Sequence, residues 1–280
     1  MRRCLKWLAA SVLALVFAAC CPAAQLSVEE AAELILKADL AREPMPAVSA
    51  LLETADTATA YKVQNVYVAK KLEGDEVAGF KGAMTSQALM NVFGASSPAI
   101  GVLPRSGLMA DGAEIVLDRA GIMLEEEIGY RFNAKIDSHL ASVDEVKAAV
   151  LSVFPAIEVP LASFVSMKGL NSVDMISANV GGMGCIVGAE RPLNGVDVNA
   201  IVMNATCDGQ PFNSGAGTDA LGDQWRTLLG LVNTIIDAGY TIEPGQFIIS
   251  GAMGKMLPAT PGEYVVDYGD FGVVKFSVKE

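Results

Sequence analysis

A chain of 280 residues with 20 basic and 32 acidic side chains carries a net charge of −12 at pH 7. Such a surface lacks the basic patches that nucleic acid and anionic membranes require, and a hard cation suits it better. The length fits one large domain, or a small domain beside a larger one, with room for a sizeable core.

The chain opens with Arg2, Arg3 and Lys6, then runs from Leu8 to Ala19 without a charge before Cys20-Cys21-Pro22. A basic start, a short apolar core and small residues read as a secretory signal over residues 1–24. The apolar run is shorter than the roughly 20 residues of a membrane-spanning helix. Its end admits two readings. Phe17-Ala18-Ala19-Cys20 resembles a bacterial lipoprotein box with a lipid anchor at Cys20, whereas Ala23 and Ala24 suit an ordinary signal peptidase. Either predicts export, to the periplasm or as a membrane-anchored lipoprotein. Removal of residues 1–19 leaves 17 basic against 32 acidic side chains, a net charge of about −15. Beyond the signal stand Cys185 and Cys207, enough for one disulfide but not for a four-thiolate zinc site, and two separate buried thiols are the preferred reading.

Ser27-Val-Glu-Glu30 is a capping box, and Ala31, Ile35 and Leu36 recur at helical spacing to about Leu40. A second predicted helix starts at Asp56 or Thr57, with Ala60, Val63 and Tyr67 on one face, and Gly74 ends it. A short strand over 77–81 precedes a third helix, capped by Thr85 or Ser86 and reaching Phe93. From Gly101 onward glycines, β-branched runs and the turn pairs Asp111-Gly112, Asp208-Gly209 and Gly269-Asp270 predict strands near 113–117, 124–135, 155–161, 182–189, 198–206, 246–252 and 263–278, the last a hairpin at Gly269. Two helices interrupt them, at 143–153 behind the capping box Ser142-Val-Asp-Glu145 and at 223–238 before Gly239. The expected class is α+β: a helix-rich N-terminal region over 25–100 and a β-rich domain over 101–280.

Within Leu124-Glu-Glu-Glu-Ile-Gly-Tyr130 a strand turns Glu125 and Glu127 to the same face. Pro155-Ala-Ile-Glu158-Val-Pro160 sets one more carboxylate in an apolar strand. Three carboxylates converging on a point repel and are held ionised chiefly by a cation, and an oxygen-only set favours magnesium, manganese or calcium over zinc. The competing reading is a solvated strand edge, which the Ile, Val and Pro flanks of Glu158 oppose.

Several blocks in order resemble the fumarylacetoacetate hydrolase superfamily, in its 2-keto-4-pentenoate hydratase and 4-oxalocrotonate decarboxylase branch: Ala60-Tyr61-Lys-Val-Gln64, Gly79-Phe-Lys81-Gly-Ala-Met-Thr85-Ser86, Glu125-Glu-Glu127-Ile128, Pro155-Ala-Ile-Glu158, Asn179, Leu221-Gly222-Asp223 and Gly251-Ala252. The resemblance implies a small helix-rich part packed on a larger mixed β-roll or barrel, a divalent Mg2+ or Mn2+ ion on Glu125, Glu127 and Glu158, and an active-site Lys81. The helix start at Thr85 and Ser86 offers hydroxyl and free backbone N–H groups to an anionic carboxylate, beside the plainer reading as a helix cap, and the resemblance adds Asn179 to the substrate site and implies dimers or larger rings. The implied activity is that of a hydratase (lyase) on a small 2-oxo or 2-hydroxydienoate acid through a metal-stabilised enolate. A decarboxylase of the same family is the alternative, or an exported protein that binds 2-oxo acids or dicarboxylates without turnover. One block departs. Ala178-Asn179-Val180-Gly181 stands where members commonly show Asp-Asn-Ala-Ser, losing an acid and a hydroxyl and favouring the binding-only reading. The lone His139, in a loop, does not suit the His-Glu dyad of hydrolytic relatives.

Overall fold

The structure, a computed structural model, describes residues 25–280; the predicted signal and Cys20 lie outside the described residues. Among the described residues no helix is long and apolar enough to cross a membrane.

Helix α1 (Val28–Leu40) begins on the predicted capping box, and α2 (Thr57–Lys71) begins on Asp56, whose side chain accepts from Thr59 N. They lead into β1 (Val77–Ala83), α3 (Gln87–Phe93, capped by Ser86), β2 (Ala99–Pro104), β3 (Leu108–Ala110), β4 (Glu114–Val116) and β5 (Met123–Phe132). Then come α4 (Val143–Ala149), β6 (Val150–Val159), α5 (Ser172–Ser177), β7 (Gly184–Val187), β8 (Arg191–Pro192), β9 (Val202–Cys207) and β10 (Gln210–Ala216). Helix α6 (Gln224–Asp237), β11 (Phe247–Ile249), β12 (Leu257–Pro258), β13 (Gly262–Asp267) and β14 (Val273–Lys279) complete the chain. The last two form the predicted hairpin around Gly269.

The larger sheet runs β2-β1-β11-β5-β6-β7-β3, and the smaller runs β10-β9-β13-β14-β4. The helix-rich stretch thus contributes β1 and β2 to the same sheet as the acidic strands. That sheet is curled: the turn joining its edge strands β2 and β3 meets the start of β7, where a Cβ on Gly107 would lie 2.2 Å from the Met183 carbonyl. Period-2 alternation then separates two cores. Phe80, Ile248, Tyr130 and Val153 point outward, into the main core that α6 covers with Leu228, Leu231 and Ile235. Leu103, Phe247, Ile249, Phe154, Ala156 and Cys185 point inward and pack as a separate buried column. Arg131 lies over the Phe154 and Phe247 rings at one end of this column, where it pairs with Glu190.

Two expectations shift. The helix predicted over 143–153 stops at Ala149, because Val150-Leu-Ser-Val-Phe154 gains more from pairing beside β5 than from a last helical turn. The unpredicted α5 is only six residues long, held by Asn171 and Asp174 in a capping box. Cys185 and Cys207 are free and sit in different sheets.

Helices α1 and α2 are locked by Asp39, which accepts from the Tyr67 hydroxyl at 2.8 Å and pairs with Lys71 and Arg119, each at 2.8 Å. Burial pushes its carboxyl up, but the two cations and the hydroxyl outweigh this and hold it below its ordinary value. A lowered native value means that the stabilisation is complete at neutral pH, and it is lost as the pH drops below the unfolded value of about 3.9 and through the native one. Asp39→Asn is therefore expected to cost roughly 2–4 kcal/mol at pH 7. In urea titrations at a series of pH values, the difference from wild type should shrink toward acid.

Candidate metal centre

Pairing of β5 with β6 sets Glu125 opposite Glu158 and Glu127 opposite Ala156. Residues directly opposite share a face, as do residues two apart. One oxygen of each of Glu125, Glu127 and Glu158 lies within 4.8 Å of the others. Glu127 and Glu158 are fully buried, and Glu125 is half-buried where the cluster meets a cavity of about 380 Å³. The Gly251 amide donates to Glu127 Oε2 at 2.6 Å, while Glu127 Oε1 and Glu158 Oε2 receive no hydrogen bond. Lys81 Nζ, reaching inward from β1, lies 3.0 Å from Glu158 Oε1.

Three carboxylates, two of them fully buried, beside one ammonium group leave lone pairs and negative charge uncompensated, a costly arrangement without a further cation. Burial first, and then the charge of Glu158, push the Glu125 carboxyl up to about 8 against the partial relief of Lys81. Burial, Glu158 and Glu125 likewise hold Glu127 well above the carboxylate range. Burial alone would lower Lys81, but Glu158 and Glu125 more than offset it and keep the ammonium charged. A divalent hard cation fits this donor set: oxygen atoms only, convergent, and short of hydrogen-bond donors.

Glu126 faces the opposite way, beside Ile157, yet it is fully buried. Asn213 Nδ2 donates to its Oε2 at 2.6 Å, and burial lifts its carboxyl to about 7 against that bond. The acidic run is therefore no solvated edge. Asn213 also donates to the Lys255 carbonyl at 2.7 Å, and Asp219 Oδ2 accepts from Gly254 N at 2.9 Å and Ala216 N at 2.8 Å. These two residues fasten the 251–256 loop that walls the cavity, a role no local pattern announced. Gly251 could not carry a side chain there: its φ is +102°, and a Cβ would fall 2.0 Å from Thr85 Oγ1.

Thr85 and Ser86 line the cavity, Thr85 buried and Ser86 capping α3 by accepting from Leu89 N. Asn179 is placed differently from its expected substrate role. Its Oδ1 accepts from Val102 N at 2.7 Å, and its Nδ2 donates to the Val102 and Gly182 carbonyls. The amide is consumed in pinning a turn to β2. In that turn Asn179, Val180 and Gly181 all have left-handed φ, 56°, 42° and 72°. A β-branched residue there costs on the order of 1–3 kcal/mol. Val180 faces the cavity, its Cγ2 filling the space a Cβ on Gly101 would take. Ala178 and Gly181 face away, into a second cavity bordered by Asp39, Lys71 and Arg119. Of the altered positions of this block, Val180 alone lines the first cavity, and the lost acid and hydroxyl, at 178 and 181, lie on the side of the second. Gln64 is structural, donating to the Ile100 carbonyl, and His139 pairs with Asp237 at the surface.

No family model matches the chain. It is 27% identical over 239 residues to a 2-keto-4-pentenoate hydratase of Paraburkholderia xenovorans, covering 84% of this chain and 88% of that protein. A 4-oxalocrotonate decarboxylase of a Pseudomonas species is 26% identical over 239 residues, covering 84% of this chain and 89% of that protein. Among solved structures, 4-oxalocrotonate decarboxylase from Pseudomonas putida, complexed with magnesium and adipate, superposes with a TM-score of 0.83 at 25% identity, covering 91% of this chain and 99% of that one. The chain is thus similar in sequence and in fold to hydratases and decarboxylases of the branch of the fumarylacetoacetate hydrolase superfamily that its motifs resemble. The mixed α+β fold recurs at 13% identity in a 2-hydroxyhepta-2,4-diene-1,7-dioate isomerase of Mycobacterium marinum, with a TM-score of 0.54.

Proposed function

We propose that this chain is a divalent-metal-dependent hydratase (lyase) of the superfamily, acting on a small 2-oxo or 2-hydroxydienoate acid. The observation that carries the reading is the convergence of Glu125, Glu127 and Glu158 within 4.8 Å at the floor of a cavity, with Lys81 against them. These three carboxylates would hold magnesium or manganese. Such an ion, when bound, polarises the 2-oxo group as a Lewis acid and lowers the cost of the negative charge that develops there as a proton leaves the neighbouring carbon. Lys81 keeps its proton and offers a fixed positive charge and N–H donors to an anionic acid. The Gly251 amide orients Glu127 through its 2.6 Å bond, and Thr85 and Ser86 supply hydroxyls at the wall. The apolar column beneath excludes water from the ligand side.

The test is to follow the loss of dienol absorbance from 2-hydroxypenta-2,4-dienoate and from 2-oxalocrotonate with Mg2+ or Mn2+, against Glu127→Gln. Metal-dependent loss of the first that vanishes in the variant supports the hydratase. Turnover confined to 2-oxalocrotonate makes it a decarboxylase, and binding without turnover of either sinks the lyase.

Metal affinity should depend on pH. Carboxyl groups raised well above the ordinary range, Glu125 to about 8, hold protons that a cation must displace, so affinity is expected to strengthen as the pH rises from 5 to about 8, with proton release on binding. Calorimetric Mg2+ titrations in buffers of different ionisation enthalpy check both.

We place this activity outside the cytoplasm, a reading supported by the basic-then-apolar start of the sequence. Fractionation of cells expressing the full chain, with and without Cys20→Ser, tests export and the lipid anchor together.

A further inference from the structure

The cavity is large for a five-carbon acid. At about 30 Å³ per water-sized group, its roughly 380 Å³ accommodates on the order of a dozen non-hydrogen atoms, against about eight in a pentenoate-type acid. Its polar lining near the carboxylates is Lys81, Thr85, Ser86 and Glu125, and much of the remaining wall is hydrocarbon or thioether: Leu89, Phe93, Phe164, Met167, Met175 and Met256. This lining continues to the surface. Leu89, Met167 and Met256 are 41%, 57% and 43% exposed, and Val92 and Val165, close in sequence to the lining, are still more so. Apolar side chains that line a cavity and remain exposed at its rim are a feature of ligand grooves, and methionines adapt to flexible hydrocarbon.

The charged groups of the wall do not prepare a second anion site. Asp219 is negative and already committed to two backbone amides. Lys255 is exposed, and an ion pair in water adds at most about fivefold in affinity.

We propose that the acid received here carries an uncharged hydrocarbon tail longer than that of a five-carbon acid, running from the carboxylate cluster along Phe93, Phe164 and Met175 to the rim formed by Leu89, Met167 and Met256. The inference rests on the reading that the carboxylates and a divalent ion hold the 2-oxo acid end.

Binding of saturated 2-oxo acids to the Mg2+-loaded protein, measured by calorimetry, tests it. From 2-oxopentanoate to 2-oxooctanoate the affinity is expected to rise about two- to fourfold per methylene. The diacid 2-oxooctanedioate should bind at least tenfold more weakly than 2-oxooctanoate. In the double variant Met167→Ser/Met256→Ser, the ratio of long-chain to short-chain affinity should fall at least threefold. Affinity independent of chain length in the wild type, or a diacid that binds as tightly as the monoacid, overturns the proposal while leaving the metal-dependent reading in place. If even 2-oxopentanoate fails to bind in Mg2+, both readings fall.

Discussion

Glu127→Gln is expected to raise the melting temperature of the metal-free protein at pH 8 by roughly 3–8 °C, about 1–3 kcal/mol, and to abolish stabilisation by Mg2+. In the native protein Glu127 stands fully buried beside Glu125 and Glu158, with its carboxyl held well above the ordinary range. A group whose native value is raised contributes most to stability below its unfolded value of about 4.3, and its contribution is lost as the pH rises through the native value. At pH 8 the metal-free site therefore bears the cost of a crowded, buried carboxylate. Glutamine removes the charge and retains an oxygen to accept from Gly251 N, so it relieves repulsion without orphaning that amide. The same change removes an anionic ligand, and catalysis should fall by at least about 10³-fold if the cation carries most of the charge stabilisation. Thermal denaturation with Mg2+ or EDTA reads the first pair of effects, and the dienol assay reads the last. A variant that melts lower than wild type without metal would mean that the cluster is not repulsive.

Lys81→Met is the complementary change and should act in the opposite direction. Its ammonium group, 3% exposed, is the cation 3.0 Å from Glu158. Removing one partner of a buried pair typically costs about 3–5 kcal/mol, because the other is left buried and uncompensated. The expected loss is that large in EDTA but clearly smaller with saturating Mg2+, since a second cation then answers the charge of Glu158. Activity should stay low even with the metal bound, by about 10²–10⁴-fold, if Lys81 also receives the acid. Urea denaturation under the two conditions separates the structural part from the functional part. Equal destabilisation with and without Mg2+ would argue against a shared site.

The sequence carried much of this centre because strand periodicity is local: Glu125 and Glu127 share a face by being two apart, whatever surrounds them. That Glu158 lies directly opposite Glu125 depends on the register of β5 and β6, which the resemblance to known enzymes supplied and single-sequence patterning does not. Helix starts were legible from side chains that bond their own backbone, at Ser27, Asp56, Ser86 and Ser142. What stayed hidden was non-local. Nothing near Asn213 or Asp219 indicates that they fasten a loop some 35 to 42 residues further along the chain. Asn179 is expected in the substrate site through the resemblance alone, whereas its amide bonds Val102 and the Gly182 carbonyl. Glu126, between Glu125 and Glu127, points to the other face of the strand. In this curled sheet the outward face is itself a core.

The filled column beneath the carboxylates has a kinetic consequence. Phe154, Phe247 and Ile249 are fully buried, and Arg131 closes over the two rings, so the described side chains fill that side of the cluster. Among the described residues, the cavity that meets the cluster is walled by α3 and the 251–256 loop, and a reactant and a product that use it would share that space. Turnover then proceeds one molecule at a time, with departure preceding the next arrival. A slow-leaving acid that fills that space will act as a competitive inhibitor whether or not it can react.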